Sequence, residues 1–219
     1  MKIQFLGHAC FLISEGAHKI LIDPFLSGSG LGAADPATID CTMIFVTHGH
    51  DDHLGDAVAI ARRTGAPIFG LVDVVAALPD DVKKLSGNTG GRQVLPFGAV
   101  KIVNAIHGSG IPGALACGFV FEIGGKKIYH AGDTALTMDM QLLRGAHIDY
   151  ALLPIGDFYT MGPEDALQAV EFIRPKCVIP MHFDTFPPIR QDGAAFCEAV
   201  REHVGCDAVL LKPGESVEE

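Results

Sequence analysis

The 219-residue sequence predicts a four-layer αββα sandwich, in which two β-sheets pack face to face and helices cover their outer surfaces. One observation is that predicted strands outnumber predicted helices, which are spaced along the chain as covers on sheets. Another is that the second half of the chain repeats the plan of the first. Because composition does not change along the chain, we expect residues 1–219 to form a single domain.

In the first half, short apolar or alternating runs bounded by turn residues predict seven strands. They cover residues 2–6, 11–14, 19–22, 42–47, 67–71, 92–95 and 100–105. Helices are expected over residues 54–64, ended by Gly65, and over residues 73–78. The polar, glycine-bearing segment 82–91 is expected to be a loop.

In the second half, Gly124-Gly125 separates two strands at residues 117–123 and 126–130 and predicts a tight hairpin. Further strands are expected at residues 150–154, 178–180 and 208–211, and helices at residues 138–144 and 192–204. Pro163 is typical of the first position of a helix, and Glu164 and Asp165 in its first turn suit the helix dipole.

Composition and charge limit the partners and the location of this protein. A net charge of −10 argues against nucleic acid as a partner, because nucleic-acid surfaces bind basic proteins. No apolar run approaches the ~18 residues of a membrane span. The N-terminus alternates like a strand and does not resemble a signal peptide. The six cysteines form no CxxC pair, so we expect free thiols in a cytoplasmic protein. The sequence does not determine whether the protein forms a homo-oligomer.

The segment from Thr47 to Asp56 carries the strongest chemical signal in the chain. His48, His50, Asp52 and His53 directly follow the apolar run 43–46, and neutral histidine and ionised aspartate are ligands for zinc, iron or manganese. In an extended segment His48 and His50 point the same way, whereas Asp52 and His53 fall where a helix starts. One motif therefore offers two pairs of ligands to two neighbouring points.

Further candidate ligands follow three other predicted strands. His107 comes after the strand at 100–105, Asp133 after the strand at 126–130, and His182 after the strand at 178–180. Each lies beside small residues that let another group approach closely. Taken singly, each residue has an ordinary structural explanation. The order HxHxDH, His, Asp, His makes a shared metal site the better interpretation.

In this order of residues the sequence resembles the metallo-β-lactamase superfamily, and more closely its metal-dependent hydrolase branch similar to the ascorbate-phosphate lactonases. The resemblance covers nearly the whole chain and is specific for fold and metal site, but not for substrate. It rests on Gly7-His8-Ala9, Asp23-Pro24-Phe25-Leu26, Thr47 to Asp56, Tyr129 to Thr134, Leu153 to Asp157, and Ile179-Pro180-Met181-His182.

The resemblance implies two groups of metal ligands and two divalent ions. One ion would be held by His48, His50 and His107, and the other by Asp52, His53 and His182. We expect zinc, with manganese, iron and nickel as alternatives.

The resemblance also implies roles for three further residues. Asp133 would bridge the two ions, so that Asp52 and Asp133 are the candidate catalytic carboxylates. Asp23 would accept a hydrogen bond from a motif histidine and fix its tautomer. His8 is expected near the cleft.

The expected activity is hydrolysis of an ester, lactone or similar carbonyl bond in a small molecule, by hydroxide formed at the two ions. The alternative is a phosphodiesterase, which favours Lys or Arg near the cleft. Of the candidate cleft loops, residues 108–113, 157–163 and 184–190, only the last contains a basic residue, Arg190. A redox di-iron protein and a non-catalytic scaffold are weaker alternatives, because the former normally carries an appended flavin domain and the latter has no need of intact ligands.

Overall fold

Two seven-stranded β-sheets form the centre of the protein, described here by a computed structural model of residues 1–219. The first sheet contains β1 (Lys2–Gly7), β2 (Cys10–Glu15), β3 (His18–Ile22), β4 (Met43–Phe45), β5 (Ile68–Leu71), β6 (Lys84–Gly87) and the last strand, β14 (Ser216–Glu218). The second contains β7 (Arg92–Leu95), β8 (Gly98–Asn104), β9 (Cys117–Ile123), β10 (Lys126–His130), β11 (Tyr150–Pro154), β12 (Cys177–Met181) and β13 (Asp207–Ala208).

The two sheets share one plan, as the sequence predicts. In the first, β1, β2 and β3 are antiparallel, and β3 to β6 are parallel. In the second, β7 to β10 are antiparallel, and β10 to β13 are parallel. The β9–β10 hairpin turns at Gly124 and Gly125, whose φ angles of 59° and 76° match a turn that favours glycine.

Apolar side chains from both sheets form the layer between them. Phe45 of the first sheet packs against Phe119 and Phe121 of the second, with ring centroids 5.3 and 4.8 Å apart. These rings belong to one cluster of 61 buried hydrophobic residues. Burial of this extent is the main stabilising contribution, at about 25 cal/mol per Å² of apolar surface. The predicted αββα sandwich is confirmed.

Helices cover the outer surfaces, and none has the length and apolar character needed to span a bilayer. The α-helices are α1 (Asp51–Leu54), α2 (Ala57–Thr64), α3 (Val72–Ala76), α4 (Pro163–Ile173) and α5 (Gly193–Ala199). Segments Met138–Ala146 and Pro187–Ile189 are 3₁₀-helical, and Val200–Val204 continues α5 as a π-helix. Helix α3 packs on β5 and β6, and α5 packs on β12.

The predicted helix over residues 54–64 is wrong in its start, because the helical segment begins at Asp51 and breaks at Gly55. A Cβ at Gly55 would lie 2.5 Å from the carbonyl oxygen of Pro24, so the chain passes too close for a side chain. Asp56 then accepts hydrogen bonds from the backbone N–H groups of Leu26 and Ser27. The break therefore fixes the loop after β3 to the start of α2.

Two strands were not predicted. The segment 82–91 contains β6, a polar strand that pairs in parallel with β5 at the sheet edge. The predicted strand 208–211 is shorter than expected, since only Asp207–Ala208 pair with β12. The chain instead ends in β14, which pairs with β1. Both missed strands are edge strands stabilised by backbone bonds to a neighbour, which a hydrophobic pattern does not reveal.

Candidate metal centre

The predicted site residues meet where strands of both sheets end. The segment Thr47–His53 follows β4, His107 follows β8, Asp133 follows β10 and His182 follows β12. Their side chains form overlapping groups in which the ligand atoms all lie within 4.8 Å of one another. The chain therefore brings together all seven residues of the expected ligand set.

The first group consists of His48, His50 and His107. Nε2 of His48 lies 2.9 Å from Nδ1 of His50. The ring of His107 is 5.2 Å from each of the other two rings, and all three stand nearly perpendicular to one another. His48 is buried, whereas His50 and His107 are half-buried. Three ring nitrogens thus converge on one point at the edge of the cleft.

The second group consists of Asp52, His53 and His182, and it also includes His8. Nε2 of His182 lies 3.8 Å from Oδ2 of Asp52. The rings of His53 and His182 are stacked 5.5 Å apart. His8, His53 and His182 are buried and Asp52 is half-buried, so this group lies deeper than the first.

Asp133 lies between the two groups. Its Oδ1 is 3.2 Å from Nε2 of His53, and its Oδ2 is 3.1 Å from Nε2 of His182. The same Oδ2 lies 3.5 Å from Nε2 of His107 in the first group. One buried carboxylate therefore faces both groups.

Asp23 orients one histidine of each group through hydrogen bonds. Its fully buried carboxylate accepts hydrogen bonds from Nδ1 of His53 at 2.8 Å and from the backbone N–H and hydroxyl of Thr47 at 2.8 and 2.7 Å. Because the Thr47 hydroxyl donates to Asp23, its oxygen accepts from Nδ1 of His48 at 3.0 Å. When these two rings are neutral, each turns a bare Nε2 toward the centre, as ligand histidines do.

Four buried polar atoms at this centre have no hydrogen-bond partner. They are Nε2 of His53, Oδ1 of Asp133, and Nδ1 and Nε2 of His182. An unsatisfied buried polar atom costs about 1–3 kcal/mol, and clusters of them need an explanation. Lone pairs that face one another across 3 Å suit a cation between them. The donor set of imidazole and carboxylate therefore fits divalent transition metals.

Burial and charge act in opposite directions on these groups. Burial alone would lower the pKa of His53 and His182, but the carboxylate of Asp133 raises both, with help from Asp23 at His53. Burial alone would raise the pKa of Asp133, but the facing histidines hold it well below its usual range. In the first group, burial lowers the pKa of His48 to about 3 and also lowers that of His107.

His8 was expected near the cleft, and its Nε2 lies 3.2 Å from Oδ2 of Asp52. Its Nδ1 lies 2.9 Å from the hydroxyl of Thr185, a residue that the sequence analysis missed. A lone threonine in a loop gives no signal of this kind in the sequence. His130, the last residue of β10, is not one of the expected ligands, and its Nε2 hydrogen-bonds to the carbonyl oxygen of Ala9 at 2.8 Å.

Apolar side chains border the centre. Phe25 and Phe186 pack on the ring of His8, with centroids 5.6 and 5.5 Å away. Ile111 lies against Gly49. Phe158 and Tyr159 form an exposed ring pair 4.8 Å apart.

The loop that carries this exposed pair is attached to the centre at both ends. Gly156, just before the pair, lies against the carbonyl oxygen of His182. Met161, just after it, donates its N–H to the carbonyl oxygen of Thr134. All three predicted cleft loops therefore adjoin the centre.

Comparisons with known proteins agree with this geometry. Residues 2–182 match the family described as the beta-lactamase superfamily domain. A UPF0173 metal-dependent hydrolase of Symbiobacterium thermophilum is 50% identical over 99% of each sequence. A second UPF0173 metal-dependent hydrolase, from Thermus thermophilus, is 45% identical over 98% of this chain and 97% of its own.

A solved structure gives the same result at the level of the fold. Igni18, described as a metallo hydrolase from the archaeon Ignicoccus hospitalis, superposes with a TM-score of 0.92 at 34% sequence identity. The match covers 99% of this chain and 97% of that one. The chain therefore belongs to the metallo-β-lactamase superfamily and is a metal-dependent hydrolase.

Proposed function

We propose that this hydrolase binds two divalent ions, zinc foremost, and cleaves an ester, lactone or similar carbonyl bond in a small molecule. The single observation that carries the proposal is that Asp133 faces both groups of ligands, with carboxylate oxygens 3.1–3.5 Å from ring nitrogens of His53, His107 and His182. A carboxylate so placed suits a bridge between two ions. Manganese, iron or nickel would suit the same donors.

The ligand roles follow from the grouping of the side chains. We assign His48, His50 and His107 to one ion, Asp52, His53 and His182 to the other, and Asp133 to both. The unpartnered nitrogens of His53 and His182 support this assignment, because metal coordination would satisfy them.

Two divalent ions held here would polarise the substrate and lower the pKa of a shared water to about 7, which supplies a nucleophile at neutral pH. The protein's own residues prepare that chemistry. Asp23 holds His53 directly and His48 through Thr47, so that both rings present Nε2. Asp52 keeps a half-exposed carboxylate at the cleft and is the group best placed to accept a proton.

The border of the centre favours an uncharged substrate group. Its side chains are aromatic or aliphatic, including Phe25, Ile111 and Phe186. Arg190 is exposed and lines a surface cavity with Gln191 and Gly193 that none of the proposed ligands lines, so it gives no reason to expect a phosphate. A phosphodiester would call for basic side chains at this border.

The test is a substrate screen on protein reconstituted with zinc, manganese, iron or nickel, using aryl esters, lactones, thioesters and bis-aryl phosphodiesters. We expect turnover of esters or lactones, together with about two ions per chain by elemental analysis. Preferential turnover of phosphodiesters would replace the proposed substrate class. A protein that binds none of the four metals on reconstitution would overturn the two-metal proposal.

We also propose that residues 1–219 form one domain, since the cluster of 61 buried residues draws on both sheets. The cytoplasm is the proposed location, because the cysteines are free and all but Cys206 are buried.

A further inference from the structure

His8 and Thr185 connect the second group of ligands to the loop that follows it. Nε2 of His8 lies 3.2 Å from Oδ2 of Asp52, and Nδ1 lies 2.9 Å from Oγ1 of Thr185. The side chain of His8 is fully buried, so both ring nitrogens are committed to these two partners. Hydrogen-bonded side chains thus connect a proposed ligand, Asp52, to Thr185, two residues before the 3₁₀ turn Pro187–Ile189.

The chemistry of the three groups sets the direction of the hydrogen bonds. An ionised carboxylate only accepts, so His8 donates from Nε2 to Asp52. A neutral ring that donates from Nε2 has a bare Nδ1, which accepts from the Thr185 hydroxyl at 2.9 Å. The other acceptor near that hydroxyl, the carbonyl oxygen of Phe183, is farther away at 3.5 Å.

The backbone ties His8 to the same loop a second time. His8 and His182 both adopt left-handed backbone conformations, with φ of 55° and 56°. Residues other than glycine rarely adopt this conformation. The N–H of His182 donates to the carbonyl oxygen of His8 at 2.8 Å, and the two rings lie 4.0 Å apart. Strained residues of this kind persist where their surroundings hold them, often at functional sites.

We propose that His8 is a positioning residue that orients Asp52 for metal binding and, through Thr185, couples that binding to the loop carrying Phe186. The coupling reaches the cleft because Phe186 packs on His8 and on Phe25, with ring centroids 5.5 and 6.2 Å apart. Contact of a substrate with Phe25 and Phe186 would strengthen the hydrogen bond from His8 to Asp52. In return, metal binding at Asp52 would order the loop that carries Phe186. This inference rests on the proposed function in taking Asp52 as a ligand.

The first test is His8→Asn, with His147→Asn as the matched control. His147 has the same backbone conformation, with φ of 56°, and lies beyond the 3₁₀-helix Met138–Ala146. Asparagine tolerates this conformation, so the pair separates the role of the ring from a backbone effect. Zinc affinity is measured by competition with a chelator on folded protein. We expect His8→Asn to lower the affinity for one of the two ions about 10- to 100-fold. His147→Asn should change the affinity for neither ion.

The second test is Thr185→Val, which removes one hydroxyl and keeps the shape. The control is Thr38→Val, whose exposed hydroxyl bonds only to the carbonyl oxygen of Asp35. We expect Thr185→Val to lower the affinity for the same ion by a smaller factor and to raise KM. Thr38→Val should change neither the zinc affinity nor KM. Because His8 and Thr185 act as one unit, the double variant should bind zinc no more weakly than His8→Asn alone.

Distinct outcomes overturn the inference. Unchanged zinc affinity in folded His8→Asn would show that the ring does not position Asp52. Complete loss of one ion at saturating zinc would make His8 a direct ligand instead. Additive effects of the two substitutions would rule out the coupling. Failure of the proposed function looks different, since the wild-type protein would then bind no second ion or hydrolyse none of the carbonyl substrates.

Discussion

The two groups of proposed ligands differ in how firmly the protein holds them. In the second group, His53 donates to the buried Asp23 and Asp52 accepts from His8. In the first, only His48 has such support, through Thr47, while His107 has a partly exposed side chain (15%, compared with 0% for His53). Hydrogen-bonded supports around ligands typically change metal affinity 10- to 100-fold. For the proposed pair of ions, we therefore expect the second group to bind its ion more tightly than the first.

The largest expected effect comes from removing the group that the two clusters share. We predict that Asp133→Ala lowers hydrolysis by more than about a hundredfold and reduces the bound metal from two ions to one. The exposed Asp51, inside the same sequence motif as Asp52, gives the control variant Asp51→Ala, which should keep both properties. Turnover and elemental analysis are measured on variants whose circular dichroism is unchanged. Wild-type turnover by folded Asp133→Ala would mean that another residue bridges.

The next largest effect is a difference in metal affinity between variants that each leave one ligand group intact. We expect His107→Gln to keep one tightly held ion, because it leaves the second group intact, and Asp52→Asn to keep one weakly held ion. The two affinities, measured by chelator competition, should differ about 10- to 100-fold. Equal affinities would show that the hydrogen bonds from His8 and to Asp23 do not govern metal binding.

The groups should also differ in their response to pH. Burial lowers the pKa of His48 to about 3 and also that of His107, so these rings are already neutral at pH 7. Asp133 outweighs burial and raises the pKa of His53 and of His182, so these rings release protons when they bind metal. Zinc affinity of the second group should therefore rise with pH, and that of the first should change little.

The direction of this pH dependence can be checked on the metal-free protein. A protonated His53 between Asp23 and Asp133 stabilises the fold below its unfolded pKa of about 6.5, and this stabilisation is lost as the pH rises through the raised pKa. Zinc should thus raise the unfolding temperature more at high pH than at low pH. Titration calorimetry of His107→Gln and Asp52→Asn in two buffers counts the protons released. Equal release by the two variants would contradict the comparison.

The smallest effect concerns the glycines beside each group. A Cβ at Gly156 would meet the backbone oxygen of His182, which cannot turn away, whereas a Cβ at Gly49 would first meet the mobile end of Ile111. We expect Gly156→Ala to lower the free energy of unfolding by about 2–3 kcal/mol, and Gly49→Ala by under about 1 kcal/mol. Urea denaturation measures both. The reverse order would show that the first group has the more rigid surroundings.

Local patterns in the sequence were enough to predict most strands and the candidate ligands. His48 to His53, His107, Asp133 and His182 each follow a buried strand, so their chemistry stands out against an apolar background. The structure brings them together, and their roles as ligands remain predictions. The break at Gly55 was not predictable, because it depends on the close approach of Pro24 from another part of the chain.

The sequence by itself determined the alternation of strands and helices, the αββα architecture and the metallo-β-lactamase resemblance, since these depend on side-chain periodicity and on residue types at strand ends. The resemblance also implied the bridging place of Asp133. Only the tertiary structure decided that Asp23 supports His48 through Thr47 and that His8 reaches Thr185. Each of these depends on side chains from distant loops meeting within hydrogen-bond distance. Sequence spacing carries no information about such contacts, because the folding of both sheets sets them.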